Sequence, residues 1–435
     1  MMPAALGVAL QAYWQEHEEN MATLLKGNAV IGQSGGPTAV INQSLVGVVQ
    51  EVKKMSHIDE LLGSRHGVRG IVNENFVALK NVPDELLERI AQTPAAALGS
   101  TRDKPDEAYC HRIFDAFRRN NVRYFFYIGG NDSADTARIV NDMAQQANYE
   151  LRVFHIPKTI DNDLRVHDHT PGYGSAAKFV ASAFIGDNYD NKSLPGIKVN
   201  VVMGRNAGFL TASAVLARKY DNDGPHLVYV PEAPLTQEKF LADVDEVYGK
   251  LGRCLIAVSE GIVVPEKNAK GQPKTWVEKI AEEAQRALEQ DSHANIQLSG
   301  SGVLGDYMVN LITQRLGTAR SKKLRVRADT FGYLQRSFPG CVSEVDAHEA
   351  RLVGQMAVRF SQLADQDGSV AMRRLGGVEY GVQVFLTPLA TVARETRSMP
   401  AGYIANGNDI THEFIEYVRP LVGHLPTVGT LDELR

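Results

Sequence analysis

Tyr124-Phe125-Phe126-Tyr127-Ile128-Gly129-Gly130-Asn131-Asp132-Ser133 is the stretch that decides the fold. Five residues of high strand propensity end at two glycines, and a segment with helical periodicity, 133–146, follows them. The same order of strand, glycine-rich turn and helix recurs at 28–54 and at 197–220. Alternating strands and helices of this kind predict parallel sheets with helices on both faces, which is an α/β fold.

Four further runs have the composition of buried strands: 151–156, 226–230, 254–259 and 326–331. Helices are expected at 207–220, 274–290 and 342–362. Cys254 lies inside an apolar run and is expected in the core. The polar stretch 265–274, with Gly and Pro, is expected to be a surface insertion.

Length and composition indicate an ordinary globular protein of two α/β domains, since 435 residues exceed one typical core. Apolar residues make up 44% of the chain, and the net charge of -5 argues against a broad nucleic-acid surface. Three scattered cysteines without a CxxC pair support neither a zinc site nor a disulfide framework, and fit a reducing cytoplasm.

The first 20 residues are expected to form an additional helix. No basic residue precedes the apolar run at 1–10, so a secretory signal is not predicted. No apolar run approaches the roughly 18 residues of a membrane span.

Ligands of parallel sheets bind beyond the carboxyl ends of the strands, so the turns at those ends are the candidate site. The turn 32–37, Gly-Gln-Ser-Gly-Gly-Pro, lets backbone N–H groups approach a phosphate, although a tight turn would need the same glycines. The turn 129–133 suits a phosphate or a metal-bound phosphate. Asp132 there could equally be a helix N-cap.

The stretch 157–163, Pro-Lys-Thr-Ile-Asp-Asn-Asp, is the most informative. Lys158, Thr159, Asp161 and Asp163 supply a cation, a hydroxyl and two carboxylates, which are the groups that phosphoryl transfer requires. The alternative is a solvated loop rich in Asp and Asn.

Arginines near strand ends suit a phosphorylated substrate, because the guanidinium fork matches phosphate oxygens. Arg205, Arg327 and Arg336 have this placement, although any one of them could be a surface ion-pair partner. The run at 167–169, His-Asp-His, could suggest a metal site, but no third ligand is nearby and a solvated loop is favoured.

Taken in order, these turns resemble those of the phosphofructokinase family over 29–349. The matching elements are Gly35-Gly36, GGNDS at 129–133, TIDND at 159–163, MGR at 203–205, PE at 231–232 and GYLQR at 332–336. The resemblance implies two Rossmann-like three-layer α/β/α domains, with mostly parallel sheets and the active site in the cleft between them. It implies a phosphoryl-donor domain of 21–172 plus roughly 337–400, and a sugar-phosphate domain of 173–336 plus the C-terminal segment.

The resemblance also implies roles. Asp161 would be the base for the 1-hydroxyl of fructose 6-phosphate, Thr159 would orient that sugar, and Arg205 would stabilise transition-state charge. The sugar phosphate would further be bound by Ile160, Met203, Gly204, Glu232, Tyr333, Leu334, Gln335 and Arg336. Arg327 resembles an arginine that reaches a neighbouring subunit's substrate, which implies a homodimer or homotetramer.

Donor choice follows from two positions in the same comparison. Relatives that use ATP usually have Gly where Asp132 and Lys158 stand, and the pyrophosphate-using branch has Asp and Lys. Gly35, Gly36 and Gly130 would complete the donor site. The Asp132 carboxylate would repel the α-phosphate of ATP, and Lys158 would neutralise pyrophosphate.

Magnesium is the implied cofactor. Asn131 stands where the family usually has Asp, so the ion would be held through water, by the donor phosphates, or by Asp163.

Three alternatives remain open from sequence. They are an ATP-dependent phosphofructokinase, a non-catalytic regulatory subunit on the same fold, and a dinucleotide-binding oxidoreductase, whose glycine spacing is lacking. Sedoheptulose 7-phosphate could replace fructose 6-phosphate as the acceptor. The expected setting is cytoplasmic glycolysis, with no nucleic-acid or membrane partner.

Overall fold

The aromatic run at 124–128 lies in the middle of a seven-stranded sheet. The structure is a computed structural model that describes residues 24–283, 302–317, 324–363, 367–377 and 379–434. The helix expected at 1–20 and the second half of the one expected at 274–290 lie outside the described residues.

The strands of the described residues are β1 (Gly27–Gln33), β2 (Ile58–Ser64), β3 (Phe76–Ala78), β4 (Val122–Gly129), β5 (Arg152–Pro157), β6 (Ile197–Val202), β7 (Leu227–Tyr229), β8 (Cys254–Ser259), β9 (Val263–Lys267), β10 (Pro273–Thr275), β11 (Val326–Thr330), β12 (Gly368–Arg374), β13 (Val382–Thr387), β14 (Ile404–Ala405) and β15 (Asp409–Ile410). The helices are α1 (Ile41–Val52), α2 (Val68–Val72), α3 (Asp84–Gln92), α4 (Glu107–Arg119), α5 (Asn131–Gln146), α6 (Tyr173–Ser193), α7 (Phe209–Ala212), α8 (Gln237–Leu251), α9 (Trp276–Glu283), α10 (Val303–Gly317), α11 (Leu334–Ser337), α12 (Glu344–Phe360), α13 (Leu389–Val392) and α14 (His412–Val422).

Two main sheets organise the chain. The first has the order β13-β12-β5-β4-β1-β2-β3 and is parallel except for the two edge strands β13 and β3. The second has the order β11-β6-β8-β7 and is parallel throughout. The predicted α/β class with mostly parallel sheets is therefore confirmed.

Each sheet is covered on both faces, as the alternation of its side chains requires. Tyr124, Phe126 and Ile128 of β4 pack in a core with α1 and α12, whereas Phe125 and Tyr127 face a second core with α4 and α5. The second sheet likewise separates two apolar cores. Cys254 of β8 is fully buried, as predicted.

The helix expected at 207–220 is the main departure. Only α7 is α-helical, and a 3₁₀ turn at Ser213–Ala217 follows it. The Asp223 carboxylate accepts hydrogen bonds from the backbone N–H groups of Lys219 and Tyr220, which would otherwise continue a helix.

The stretch 265–274 is mostly exposed, as expected, and most of it belongs to the hairpin of β9 and β10. Among the helices that the structure describes, none combines the length and apolarity that a membrane span needs.

Candidate active site

A cavity of about 200 Å³ lies where the carboxyl ends of β1, β5, β6 and β8 meet the turn after β11. Both main sheets contribute to it, as the rule for parallel sheets predicts. Its lining is Gly36, Pro37, Arg102, Lys158, Thr159, Ile160, Asp161, Met203, Arg205, Asn206, Glu260, Tyr333 and Arg336.

Lys158 is buried at the end of β5, where its backbone N–H donates to Gly129 O at 2.9 Å. Its ammonium group lies against Gly35, because a Cβ placed on that glycine would come 3.1 Å from Nζ. Gly35 also has a φ of +74°, a conformation that favours glycine. The predicted donor residues Gly35 and Lys158 are therefore neighbours.

The charged form of Lys158 is disfavoured at this buried position. Burial and the nearby Arg336 lower its pKa to about 8, against the opposing influence of Asp161 and Asp163. Burial and Arg102 likewise lower the pKa of Arg336. Cations that are held together in a buried cavity are arranged to receive an anion.

Two carboxylates of the same loop lie close by, Asp163 buried and Asp161 partly buried. Burial raises the pKa of Asp161, against the favourable charges of Arg205 and Lys158. Burial, and then the charge of Asp161, raises the pKa of Asp163, which also bonds with the Asn206 side chain. Asp161 lines the cavity with cations beside it, so it has the surroundings of a general base at neutral pH.

Hydrogen bonds fix the backbone of the loop that carries Asp161 and Asp163. Thr159 Oγ1 accepts the backbone N–H of Asp161 at 3.2 Å, and Thr170 Oγ1 donates to Thr159 O at 2.9 Å. Asn162 is fully buried in a left-handed conformation, with a φ of +58°. This geometry directs Lys158, Thr159 and Asp161 into one cavity.

The MGR turn after β6 is held by neighbouring strand ends. Ser259 Oγ donates to Gly204 O at 2.6 Å, and Gly204 itself has a φ of +130°. Gln335 is buried, and its Oε1 accepts the Met203 N–H at 3.2 Å. Gln335 therefore orients the turn that carries Arg205, although Gln335 does not line the cavity.

Tyr333 and Arg336 line the cavity beside each other. The Arg336 guanidinium lies 4.4 Å from the centre of the Tyr333 ring, and it is so close to Gly36 that a Cβ there would come 2.9 Å from Nη1. Gly36 therefore lies against this guanidinium, and it links the first glycine-rich turn to the arginine predicted to bind the sugar phosphate.

Asn131 and Asp132 begin α5 at the end of β4. Asn131 Oδ1 accepts the backbone N–H of Asp132 at 2.9 Å. The Asp132 carboxylate lies 3.3 Å from the Lys104 ammonium and lines a second cavity of about 680 Å³. Gly130 precedes them, and a Cβ there would contact only Lys158 O, at 3.8 Å.

Several predicted residues do not line the first cavity, among them Glu232, Leu334 and Arg327. The Glu232 carboxylate accepts backbone N–H groups of Gly208 and Met399, and burial raises its pKa. Leu334 is 63% exposed, and the exposed Arg327 donates to Val326 O. Within one chain these residues support or border the site.

Sequence reasoning missed Arg102, Asn206 and Glu260, which all line the cavity. Asn206 and Glu260 follow β6 and β8 closely, so the strand-end rule could have found them. Arg102 lies on the connection between α3 and α4, where no strand precedes it. Its only local signal is the Gly-Ser-Thr turn at 99–101.

The expectation of a solvated loop at 167–169 is wrong. His167 and His169 are 3% and 2% exposed. His169 lies between two carboxylates, 2.7 Å from Asp168 and 2.6 Å from Glu349. Burial opposes a charged ring, but Glu349 and Asp168 outweigh it and raise the pKa of His169 to about 9. Glu349 is distant in sequence, so no local pattern indicates this cluster.

The metal-ligand reading of the histidines gains no support either. Within the part of the chain that the structure describes, no group of three or more His, Cys, Asp or Glu side chains is placed to hold a metal ion by itself.

Comparisons with known proteins agree with this geometry. Residues 28–361 match the family model described as Phosphofructokinase. A pyrophosphate–fructose 6-phosphate 1-phosphotransferase of Rhodospirillum rubrum is 52% identical over 92% of this chain and 95% of its own length. One of Halomonas elongata is 33% identical over 91% of both chains.

A solved structure gives the same result. The crystal structure of a pyrophosphate-dependent phosphofructokinase from Marinobacter aquaeolei has a TM-score of 0.77 and 30% identity, covering 93% of this chain and 94% of that one. The family match spans more than half of this chain and includes the predicted turns from Gly35 to Arg336. The chain therefore belongs to the phosphofructokinase family.

Proposed function

We propose that this chain transfers a phosphoryl group reversibly from pyrophosphate to the 1-hydroxyl of fructose 6-phosphate, giving fructose 1,6-bisphosphate and phosphate. The observation that carries the proposal is the cavity in which the charges of Arg205, Lys158 and Arg336 act on the carboxylate of Asp161. The names of the relatives from Rhodospirillum rubrum and Halomonas elongata give the same reaction.

Each residue has a separate task in this reaction. Asp161 accepts the proton of the 1-hydroxyl as that oxygen bonds to the transferred phosphorus. Thr159 and the adjoining Ile160 orient the sugar, and Arg205 stabilises the charge that develops during transfer. Phosphate leaves from the donor. In the reverse direction Asp161 returns the proton to the sugar oxygen.

The sugar phosphate is bound by Arg336 and Tyr333, which lie together in the lining of the cavity. Met203 and Gly204, in the turn after β6, complete this part of the site. Gln335 and Glu232 act by fixing backbone rather than by direct contact. Arg327, exposed on β11, is available to a neighbouring subunit, which supports a homodimer or homotetramer.

Donor choice is assigned to Lys158 and Asp132. The buried Lys158 neutralises pyrophosphate beside Gly35, Gly36 and Gly130, and a Cβ at Gly35 or Gly36 would lie close to the Lys158 or Arg336 side chain. Asp132 opens onto the second cavity, which has five carboxylates against three cations in its lining. An α-phosphate with its nucleoside would have to enter such acidic surroundings, and it would be repelled.

Magnesium fits the residues that are present. Asp161 and the buried Asp163 belong to one short loop, and burial, together with the charge of Asp161, raises the pKa of Asp163. Neighbouring carboxylates are hard oxygen ligands of the kind that suits Mg²⁺. Asn131 Oδ1 already accepts a backbone N–H, so Asp163 is the stronger candidate ligand, with donor oxygens completing the set. When bound, the ion would neutralise charge on the donor phosphates.

The domain assignment belongs to the same proposal. Residues 21–172 and 337–400 would bind the donor, and 173–336 with the C-terminal segment would bind the sugar. A cytoplasmic location and a role in glycolysis are also proposed. The three cysteines, which are all free, support the proposed location.

Phosphorus NMR tests the reaction directly. Purified protein with pyrophosphate, fructose 6-phosphate and magnesium should convert the pyrophosphate signal into those of phosphate and fructose 1,6-bisphosphate. Adding the products should regenerate pyrophosphate. Excess chelator should stop both directions. Failure to form fructose 1,6-bisphosphate from pyrophosphate, with the Rhodospirillum rubrum enzyme active in parallel, would refute the proposal, and activity with ATP alone would favour the ATP-dependent alternative.

A further inference from the structure

The loop that carries Asp161 is held from behind by one side chain of a distant segment. The Arg397 guanidinium donates three hydrogen bonds to backbone carbonyls of this loop. Nε donates to Asn162 O at 2.9 Å, Nη1 to His167 O at 2.6 Å, and Nη2 to Asp168 O at 2.6 Å. Three carbonyls spread over seven residues therefore converge on one guanidinium.

The main chain of Arg397 adds a fourth contact, because its N–H donates to Asp163 O at 2.8 Å. Its side chain is half-buried and lies 4.9 Å from the centre of the Phe209 ring. Arg397 is not among the residues that line the described cavity. It can therefore influence the reaction through the loop and through its positive charge, which opposes the rise that burial causes in the pKa of Asp163.

The loop has a reason to need this support. Asn162 has a φ of +58° and Val166 a φ of +72°, and a β-branched residue is rare in that conformation. Such strain persists only where the surroundings determine the backbone. Tyr417 supplies a second support, because its hydroxyl accepts from Asn162 Nδ2 and donates to Asp168 O, both at 2.8 Å.

We propose that Arg397 is a positioning residue that sets the place of Asp161 and Asp163 in the cavity, with Tyr417 as its accessory; the inference rests on the proposed function. Both residues follow residue 361, where the family match ends. The C-terminal segment thus takes part in catalysis through the backbone of the active-site loop.

The geometry of the guanidinium gives the first test. Arg397→Met should lower kcat about 10–100-fold, because a small displacement of a reacting group carries a cost of that order. KM for both substrates should change much less. Arg397→Lys should remain impaired, since one ammonium cannot serve three divergent carbonyls. Tyr417→Phe removes one hydroxyl, with the hydrogen bond that it accepts and the one that it donates, and should give a smaller loss in a folded protein.

Arg218→Met is the matched control. Arg218 Nε also donates to a backbone carbonyl, that of Pro225, at 2.7 Å, but it holds a turn before β7. This variant should lose stability and keep kcat. Hydrogen–deuterium exchange should show faster exchange in 161–169 for the Arg397 variants alone.

The outcomes separate the two proposals. Wild-type kcat in Arg397→Met, full rescue by Arg397→Lys, or unchanged exchange at 161–169 would overturn the positioning role while leaving the proposed function intact. If wild-type protein transfers no phosphoryl group, the proposed function fails, and exchange at 161–169 still decides whether Arg397 holds the loop.

Discussion

Two buried clusters of charged side chains are built on the same loop, a few residues apart. They differ in whether their charges are paired within the protein. The cluster of His169, Asp168 and Glu349 is closed, because both ring nitrogens bond to carboxylates and Tyr380 donates to Glu349 at 2.6 Å. The Lys158 ammonium has no ion pair within 4 Å among the residues that the structure describes. Its pKa falls, whereas that of His169 rises.

The difference separates a structural cluster from a functional one. Charges that are paired inside the protein stabilise the fold in their charged form, whereas unpaired buried charges cost stability. The proposed function gives a reason for this cost, because the anionic donor would supply the partner that the Lys158 ammonium lacks. Removing a residue from the cavity should therefore affect turnover, and removing one from the His169 cluster should affect stability.

The largest expected effect concerns Asp161. Asp161→Asn should lower kcat by about 10²–10⁴-fold, which is the usual loss for a general base, while sugar binding changes much less. Steady-state kinetics with both substrates measures this. The matched control is Glu349→Gln, a buried carboxylate of the closed cluster, which should lose stability and keep nearly all turnover. Similar kcat losses in Asp161→Asn and Glu349→Gln would contradict the distinction between a functional and a structural cluster.

Lys158→Met should act on activity and stability in opposite directions. Loss of the cation should remove roughly 2–4 kcal/mol of transition-state stabilisation. The value of kcat/KM for pyrophosphate should fall accordingly. The folded-state pKa of Lys158, about 8, is below its ordinary value of 10.5, so the charged form costs stability at neutral pH. Chemical denaturation at pH 7 should therefore find the variant more stable.

The pH profile adds a check on the same lysine. In wild type, kcat/KM for pyrophosphate should fall as the pH rises through about 8, because Lys158 loses its proton in the free enzyme. Lys158→Met should lack that limb. Lys54→Met changes an exposed lysine paired with Glu51 and serves as the control. An unchanged alkaline limb in Lys158→Met would contradict the assignment.

His169→Gln should have a smaller effect than the substitutions of Asp161 and Lys158, and it should change only the stability of the protein. The folded-state pKa of His169, about 9, exceeds its ordinary value of 6.5, so its contribution is complete below pH 6.5 and is lost as the pH rises through 9. Linkage sets this contribution at about 3 kcal/mol. The difference in unfolding free energy between wild type and variant should shrink between pH 6.5 and 9. A constant difference would show that the ring is neutral.

The elements that sequence predicted well are those with local causes. The aromatic run of β4 ends at glycines, and the strand-end rule then led to Lys158, Asp161 and Arg205, which do meet in one cavity. Arg102 escaped because it follows no strand. His169 and Arg397 escaped because their partners lie 180 or more residues away, and only tertiary packing decides such contacts.

The ratio of catalytic efficiencies for pyrophosphate and ATP tests the central claim most directly. It should be measured with saturating fructose 6-phosphate and magnesium, in wild type and in Asp132→Gly. The account predicts that wild type uses pyrophosphate with little or no activity towards ATP, and that Asp132→Gly shifts the ratio towards ATP. A wild type that prefers ATP, or a ratio that Asp132→Gly leaves unchanged, would contradict it.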